Sequence, residues 1–279
     1  MSRVEVGRAE RLAVLTARLV AHPSQLFRLE ELAGPLGVAR STVSEDLATL
    51  GPVFARFGLG RIETLQGARG GARYLPEQPA DATSRMLAQL GAAVKEPARV
   101  LPGGFLYLTD LVCSPVWAAR LGQIFAQAWR PAGPTHVLTV ETKGIPLALM
   151  TARSLGVPLL IARRDARVTE GPAVSITYLS GTTGRVQAMS LPRRALPPGS
   201  AVLIVDDFMR GGGTAKGLID LAGEFGAKVS GVAVAVATAT PAVKRANPYL
   251  ALLVLNRVDE GTRWVDLEPN LDLTPAGLP

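Results

Sequence analysis

Two adjacent carboxylates and a run of glycines stand together near residue 210. Asp206 and Asp207 follow four apolar residues, Val202, Leu203, Ile204 and Val205. They precede Phe208, Met209, Arg210, Gly211, Gly212, Gly213 and Thr214. The apolar run reads as a short strand buried on both faces of a parallel sheet. From Ala215 to Phe225, apolar residues at 218, 219, 221, 222 and 225 read as a helix. Strand, acidic pair, glycine loop and helix N-terminus, in that order, build an anion site. Glycines let backbone N–H groups close on a phosphate, and the helix end adds free donors and a favourable dipole. The carboxylates suit hydroxyl groups instead, a ribose being the natural candidate. A ligand that carries ribose and phosphate together satisfies both halves. Out of this context, the stretch would be a glycine-rich turn beside a solvated acidic pair.

Two further loops carry charge at strand ends. Thr135 to Val140 is a short β-branched strand followed by Glu141, Thr142, Lys143, Gly144, Ile145 and Pro146, then an apolar helix to Leu155. Leu159 to Ala162 is another strand, followed by Arg163, Arg164 and Arg167, which would draw an anionic ligand. Alone, the first is an ordinary strand-end turn, and an arginine-rich loop is commonly a solvated surface. Val174 to Tyr178 and Arg185 to Met189 then read as a hairpin. Further strands are expected at Leu101–Asp110, Val229–Thr238 and Leu250–Leu255, and helices at Ser84–Lys95 and Pro115–Trp129. Strands alternating with helices mean a mostly parallel sheet with crossover helices. In such sheets ligands bind at the carboxyl ends of the strands, where all three loops lie.

The chain of 279 residues is long enough for two cores. At 48% hydrophobic and 19% charged residues it is globular rather than disordered. There is no unbroken apolar run of membrane-spanning length, and the opening MSRVEVGRAE lacks the apolar stretch of a signal peptide. A cytoplasmic protein with no membrane partner is therefore expected. The single Cys113 has no disulfide or metal-ligand partner in the sequence and reads as a small core residue. His22 and His136 lie far apart, so no metal site is expected. A net charge of +7 favours anionic partners, either nucleic acid or phosphorylated metabolites.

The first 76 residues are a domain of another kind. Residues 10–21 place Leu12, Leu15, Leu19 and Val20 near one helical face, and Leu29 to Leu36 reads as a second helix. Gly37 makes a turn into a third, Ala39 to Leu50, with Val43, Leu47 and Leu50 as its buried stripe. Arg40, Ser41, Thr42 and Ser44 start that helix, as in the recognition helix of a helix-turn-helix. A Thr42–Glu45 capping box would start it slightly later. Glu45 and Asp46 put acid on the same helix, which works against phosphate contact. Arg61 to Leu65 and Ala72 to Leu75 flank Gly67, Gly70 and Gly71 as a hairpin. Three helices and a hairpin make a winged helix, with Arg61, Arg69 and Arg73 as the wing's phosphate contacts. Ten arginines against seven acids leave this segment at only +3, and such three-helix units also serve as dimerisation domains.

Apolar run, two acids, two variable positions and a Gly-rich loop ending in Thr resemble type I phosphoribosyltransferases. That resemblance implies that Asp206 and Asp207 hold the ribose hydroxyls of phosphoribosyl pyrophosphate, while Met209 to Thr214 cradle its 5′-phosphate. It also places the pyrophosphate at Thr142, Lys143 and Gly144, adds Tyr107, Arg163, Arg164 and Tyr178 to the ligand site, and makes the hairpin a mobile flap. In the hypoxanthine-guanine subclass a carboxylate stands three residues beyond the second acid; here that position is Arg210, which cannot act as a base near neutral pH. Adenine or xanthine types remain open.

HPSQLFRLEEL, STVSEDL and GARGGARYLP, ahead of GGFLYLTD, TKGIPLA, VTEGPAVSITYLSG and VDDFMRGGGT, resemble the bacterial purine-operon repressors. The similarity spans both domains, 1–76 and 77–279. It implies a dimeric repressor of purine biosynthesis and transport genes, with no catalytic residues. Operator DNA and phosphoribosyl pyrophosphate would be its partners, the latter with Mg²⁺, as inducer. The alternative is an active purine phosphoribosyltransferase with an accessory N-terminal domain.

Overall fold

The computed structural model describes residues 6–67, 70–164, 171–179 and 186–275. Two compact units emerge, one of Met1–Pro79 with Arg153–Gly156, the other of Ala80–Ala152 with Val157–Pro279.

The first unit runs α1 (Arg8–Ala21), β1 (Phe27–Arg28), α2 (Leu29–Ala33), a 3₁₀ turn (Gly34–Leu36), α3 (Arg40–Arg56), β2 (Arg61–Leu65) and β3 (Gly71–Leu75). The expected helices and hairpin are present, and the strands assemble in the order β1-β3-β2. The two-residue β1, too short to announce itself in the sequence, pairs Phe27 with Ala72 and Arg28 with Gly71. A Cβ on Gly71 would lie 2.1 Å from the Phe27 carbonyl oxygen, so only glycine permits this pairing. The core joins Leu15 and Leu19 of α1, Leu32 of α2, Val43, Leu47, Leu50 and Phe54 of α3, and Tyr74 of β3.

Helix α3 is longer than its sequence suggests. It starts at Arg40 without a side-chain cap, rather than at a Thr42–Glu45 box, and passes through Pro52. An interior proline costs ~3 kcal/mol. Phe54 extends the buried stripe by one turn, and burying a phenylalanine offsets about 1.5–3 kcal/mol of that cost.

The second unit runs α4 (Ala80–Val94), β4 (Val100–Leu101), β5 (Phe105–Leu106), α5 (Thr109–Val112), α6 (Pro115–Trp129), β6 (His136–Val140) and α7 (Ile145–Leu155). It continues with β7 (Leu159–Ala162), β8 (Ala173–Leu179), β9 (Val186–Pro192), β10 (Ala201–Met209), α8 (Gly213–Glu224), β11 (Lys228–Thr238), β12 (Tyr249–Asp259) and β13 (Trp264–Pro269). The strand expected at 101–110 is a small hairpin folded about Gly103 and Gly104, both at positive φ, followed by α5. Cys113, expected in the core, is exposed where α5 ends.

The main sheet has the order β13-β12-β11-β10-β6-β7, parallel except for β13. Helix α8 packs on Val202, Ile204 and Val232. On the alternate face of β11, Trp129 of α6 fills the space beside Gly231, where a Cβ would fall 1.9 Å from its ring. From β6 the chain proceeds outward to β7, and from β10 in the other direction to β11 and β12. The β6–β10 boundary is therefore the switch point where open α/β sheets bind ligands.

Candidate functional site

At that boundary β10 outruns its neighbour. It pairs with β6 only from Val202 to Ile204, but with β11 as far as Met209. Asp206 and Asp207 thus lie within the strand rather than in a loop beyond it, on a stretch supported from one side. The other side is taken by the turn after β6. A Cβ on Gly144 would sit 2.7 Å from both Asp206 Oδ1 and Thr139 Oγ1, so only glycine lets this turn close on the acid. The Glu141–Thr142 peptide is cis, and Thr142 and Lys143 are exposed. Glu141 Oε1 accepts a 2.7 Å hydrogen bond from the Arg164 amide, tying the turn to the end of β7. Arg163 pairs with Ser190 through reciprocal backbone bonds of 2.9 and 2.8 Å.

Burial, then the negative charge of Asp207 and hydrogen bonding with its side chain, push the Asp206 carboxyl well above the usual carboxylate range. The Asp207 amide, 2.9 Å from Asp206 Oδ1, and the charge of Arg164 act in the opposite sense. A diol donating to this pair would favour the ionised form.

Beyond the acids, Met209 to Thr214 line a depression together with Asp206. Gly212 caps α8 at φ 77°, the left-handed region that favours glycine. The first intrahelical amide bond runs from Lys216 to the Gly212 carbonyl, so the amides of Gly213, Thr214 and Ala215 lie ahead of the ladder. Met209 contributes backbone, since its side chain is in the core. Arg210 is exposed.

Two expected ligand residues have protein contacts of their own. Tyr178 is buried against Gly217 of α8, its hydroxyl donating to Gln187 Oε1 at 2.8 Å, which makes it a packing residue. Tyr107 is exposed; its amide donates to the Arg99 carbonyl and its carbonyl accepts from the Arg99 guanidinium. Arg167 and Arg69 lie outside the described residues.

The segment between β11 and β12 was missed. The Arg245 amide donates to the Gly211 carbonyl at 3.0 Å, and Lys244, only 4% exposed, bonds the Arg210 carbonyl. Burial lowers the Lys244 pKa. In sequence, Pro241 to Pro248 offers only loop signals, and a loop lysine is ordinarily solvated.

In the first unit, Arg40, Ser41 and Ser44 are exposed at the start of α3, with Thr42 half-buried. Asp46, expected to oppose DNA from this helix, turns inward. It is 1% exposed and meets Arg11 Nε at 2.7 Å, leaving Glu45 as the exposed acid of the pair. Arg61 and Arg73 of the wing are engaged. Arg61 bonds Glu77 at 3.0 Å and Glu63 at 3.1 Å, while Arg73 bonds the other Glu63 oxygen at 2.5 Å. Burial alone would raise the Glu63 carboxyl; Arg73 and then Arg61 outweigh it and hold it low.

A parallel sheet with an acidic pair, a glycine loop and a facing turn at its switch point defines a phosphoribosyltransferase-type ligand domain, here preceded by a winged helix. Residues 117–261 match the phosphoribosyl transferase domain family, and residues 7–76 match the N-terminal domain of the bacterial purine repressors. The chain belongs to the bacterial purine repressor family. It is 39% identical over 261 residues to the purine biosynthesis transcriptional repressor PurR of Bacillus subtilis, covering 94% of this chain and 92% of that protein. It is 38% identical to the purine biosynthesis transcriptional activator PurR of Lactococcus lactis, covering 94% and 96%. A xanthine phosphoribosyltransferase of Deinococcus deserti is 34% identical over 179 residues, 61% of this chain and 92% of the enzyme.

Proposed function

We propose that this protein represses purine biosynthesis and transport genes by binding operator DNA, and that phosphoribosyl pyrophosphate releases it. The observation that carries this reading is the join of a winged helix to a ribose-phosphate site in one chain, with relatives similar over both parts. The exposed start of α3 supplies base contacts, and the wing contributes to phosphate binding. Asp206 and Asp207 hold the ribose hydroxyls, Met209 to Thr214 the 5′-phosphate, and Thr142 to Gly144 the pyrophosphate. Among the described residues no cluster of three His, Cys, Asp or Glu could hold a metal. Mg²⁺ would therefore be bound mainly through the ligand's own oxygens. The protein acts in the cytoplasm as a homodimer, matching a two-fold operator. Among the described residues no helix is long and apolar enough to cross a membrane.

A ligand shifts DNA binding only through its differential affinity for the DNA-competent state and its alternative. The ligand domain therefore needs to bind, not to transfer. Arg210, where a base-assisting carboxylate would stand in one enzyme subclass, fits a site that senses. Two relatives favour second readings: the Lactococcus protein an activator, the Deinococcus protein a transferase.

In vitro transcription from a purine biosynthesis promoter separates all three. Repression relieved by phosphoribosyl pyrophosphate is expected. Ligand-dependent stimulation would favour the activator, and nucleotide formation from added xanthine or adenine would favour the enzyme.

A further inference from the structure

Lys244 is a buried cation beneath an anion site. Its ammonium donates to the Arg210 carbonyl at 2.6 Å, the Thr238 carbonyl at 2.6 Å and Thr238 Oγ1 at 3.3 Å. Three donors meet three neutral acceptors, so its hydrogen bonds are satisfied while its charge is not. None of the ion pairs among the described residues involves it. Burying an ammonium without a counter-charge is expensive, and a neutral amide would link two loops at less cost. The charge makes sense if an anion arrives nearby.

The atoms it holds point to that anion. Arg210 directly precedes the glycines, and the next carbonyl, that of Gly211, is taken by the Arg245 amide. Gly212 packs on the same segment, where a Cβ would lie 3.1 Å from the Arg245 nitrogen and 3.2 Å from that of Ala246. With two successive carbonyls drawn into the β11–β12 segment, the amides of Gly213, Thr214 and Ala215 are left for the ligand.

We propose that Lys244 is a positioning residue of the phosphate site. It holds the Arg210 carbonyl away from the ligand and supplies, from behind the loop, positive charge that a bound 5′-phosphate neutralises. This role rests on reading Met209 to Thr214 as the phosphate site. It predicts an effect confined to one end of the ligand, because pyrophosphate is assigned to Thr142–Gly144.

Calorimetric titration of the full-length protein with ribose 5-phosphate and, separately, with inorganic pyrophosphate tests it. Lys244→Met should weaken ribose 5-phosphate binding by about tenfold or more, the scale of one lost charge-assisted contact. Pyrophosphate affinity should change less than about twofold. Lys244→Arg, which keeps the charge, should recover most of the loss. Lys244→Gln, which keeps a donor without the charge, should behave like the Met variant and carries the test if that variant does not fold. Unchanged ribose 5-phosphate affinity in the neutral variants, or an equal loss for both ligands, would overturn the role. Failure of the wild type itself to bind ribose 5-phosphate would overturn the phosphate-site reading, and this role with it.

Discussion

Gly144 rests against Asp206 so closely that one added carbon would fall 2.7 Å from the carboxylate oxygen. The turn after β6 and strand β10 therefore meet at one acid, and in the proposed complex that contact keeps the pyrophosphate and ribose ends of the ligand in register. Gly144→Ala must push either the turn or Asp206 aside. It should weaken phosphoribosyl pyrophosphate binding about tenfold or more, a loss of ~1.4 kcal/mol. DNA affinity without ligand should stay within about twofold, the margin for sites that share no partners. Calorimetry and a DNA-binding titration check the two halves.

The ionised Asp206 carboxylate is expected to cost the fold stability. Its carboxyl is raised in the folded protein by burial and by Asp207. A raised carboxyl favours folding below its unfolded pKa of about 3.9, and the benefit is lost as pH rises through the higher folded value. Asp206→Asn should therefore melt at least ~2 °C higher than wild type at neutral pH, as expected for ~1 kcal/mol in a unit this large. The gap should close as the pH falls toward about 4. Ligand affinity should drop in the same variant. Melting curves across pH that show no gap, or a gap of opposite sign, would remove the charge-burial account.

On the wing, Glu63 restrains Arg61 and Arg73. Glu63→Gln removes the carboxylate that both share; it releases Arg73 from its ion pair to meet phosphates, while Arg61 keeps Glu77. DNA affinity should rise on specific and unrelated sequences alike, by about threefold to tenfold, with a steeper dependence on salt. A salt titration of DNA binding reads this. Unchanged salt dependence would mean that the hairpin does not touch DNA.

Gly71 tests the other unit separately. Its missing Cβ is what lets Phe27 pair with Ala72. Gly71→Ala should lower the stability of the winged helix by more than ~1 kcal/mol and reduce operator binding. Phosphoribosyl pyrophosphate affinity should be retained. Loss of both functions would contradict their division between two units.

Much of this organisation was legible because it rests on local signals. The run at 202–205 and the glycines read correctly as strand and helix entry, since β-branched burial and glycine conformation are properties of the residues themselves. The stripe of Val43, Leu47 and Leu50 placed α3 for the same reason. Where the end of an element depends on a distant partner, the sequence fell short. β10 continues to Met209 because β11 pairs with it that far, and α3 passes Pro52 because Phe54 finds a core. Asp46 looked like surface acid until Arg11 of another helix met it. Nothing in the sequence around Tyr178 announces that α8 covers it. Lys244 was invisible because its two shortest bonds go to the backbone carbonyls of Arg210 and Thr238, which no side-chain pattern reports.

Phosphoribosyl pyrophosphate and operator DNA are expected to oppose one another's binding to this protein. The direct measurement is the affinity of the wild type for operator DNA with and without saturating phosphoribosyl pyrophosphate and Mg²⁺. The expected result is a rise in Kd of roughly 5–150-fold, the range of ordinary coupling between two sites. The double variant Asp206→Ala, Asp207→Ala should bind DNA as tightly as wild type and show no such rise. A wild-type DNA affinity that stays the same while the ligand is bound would contradict the account.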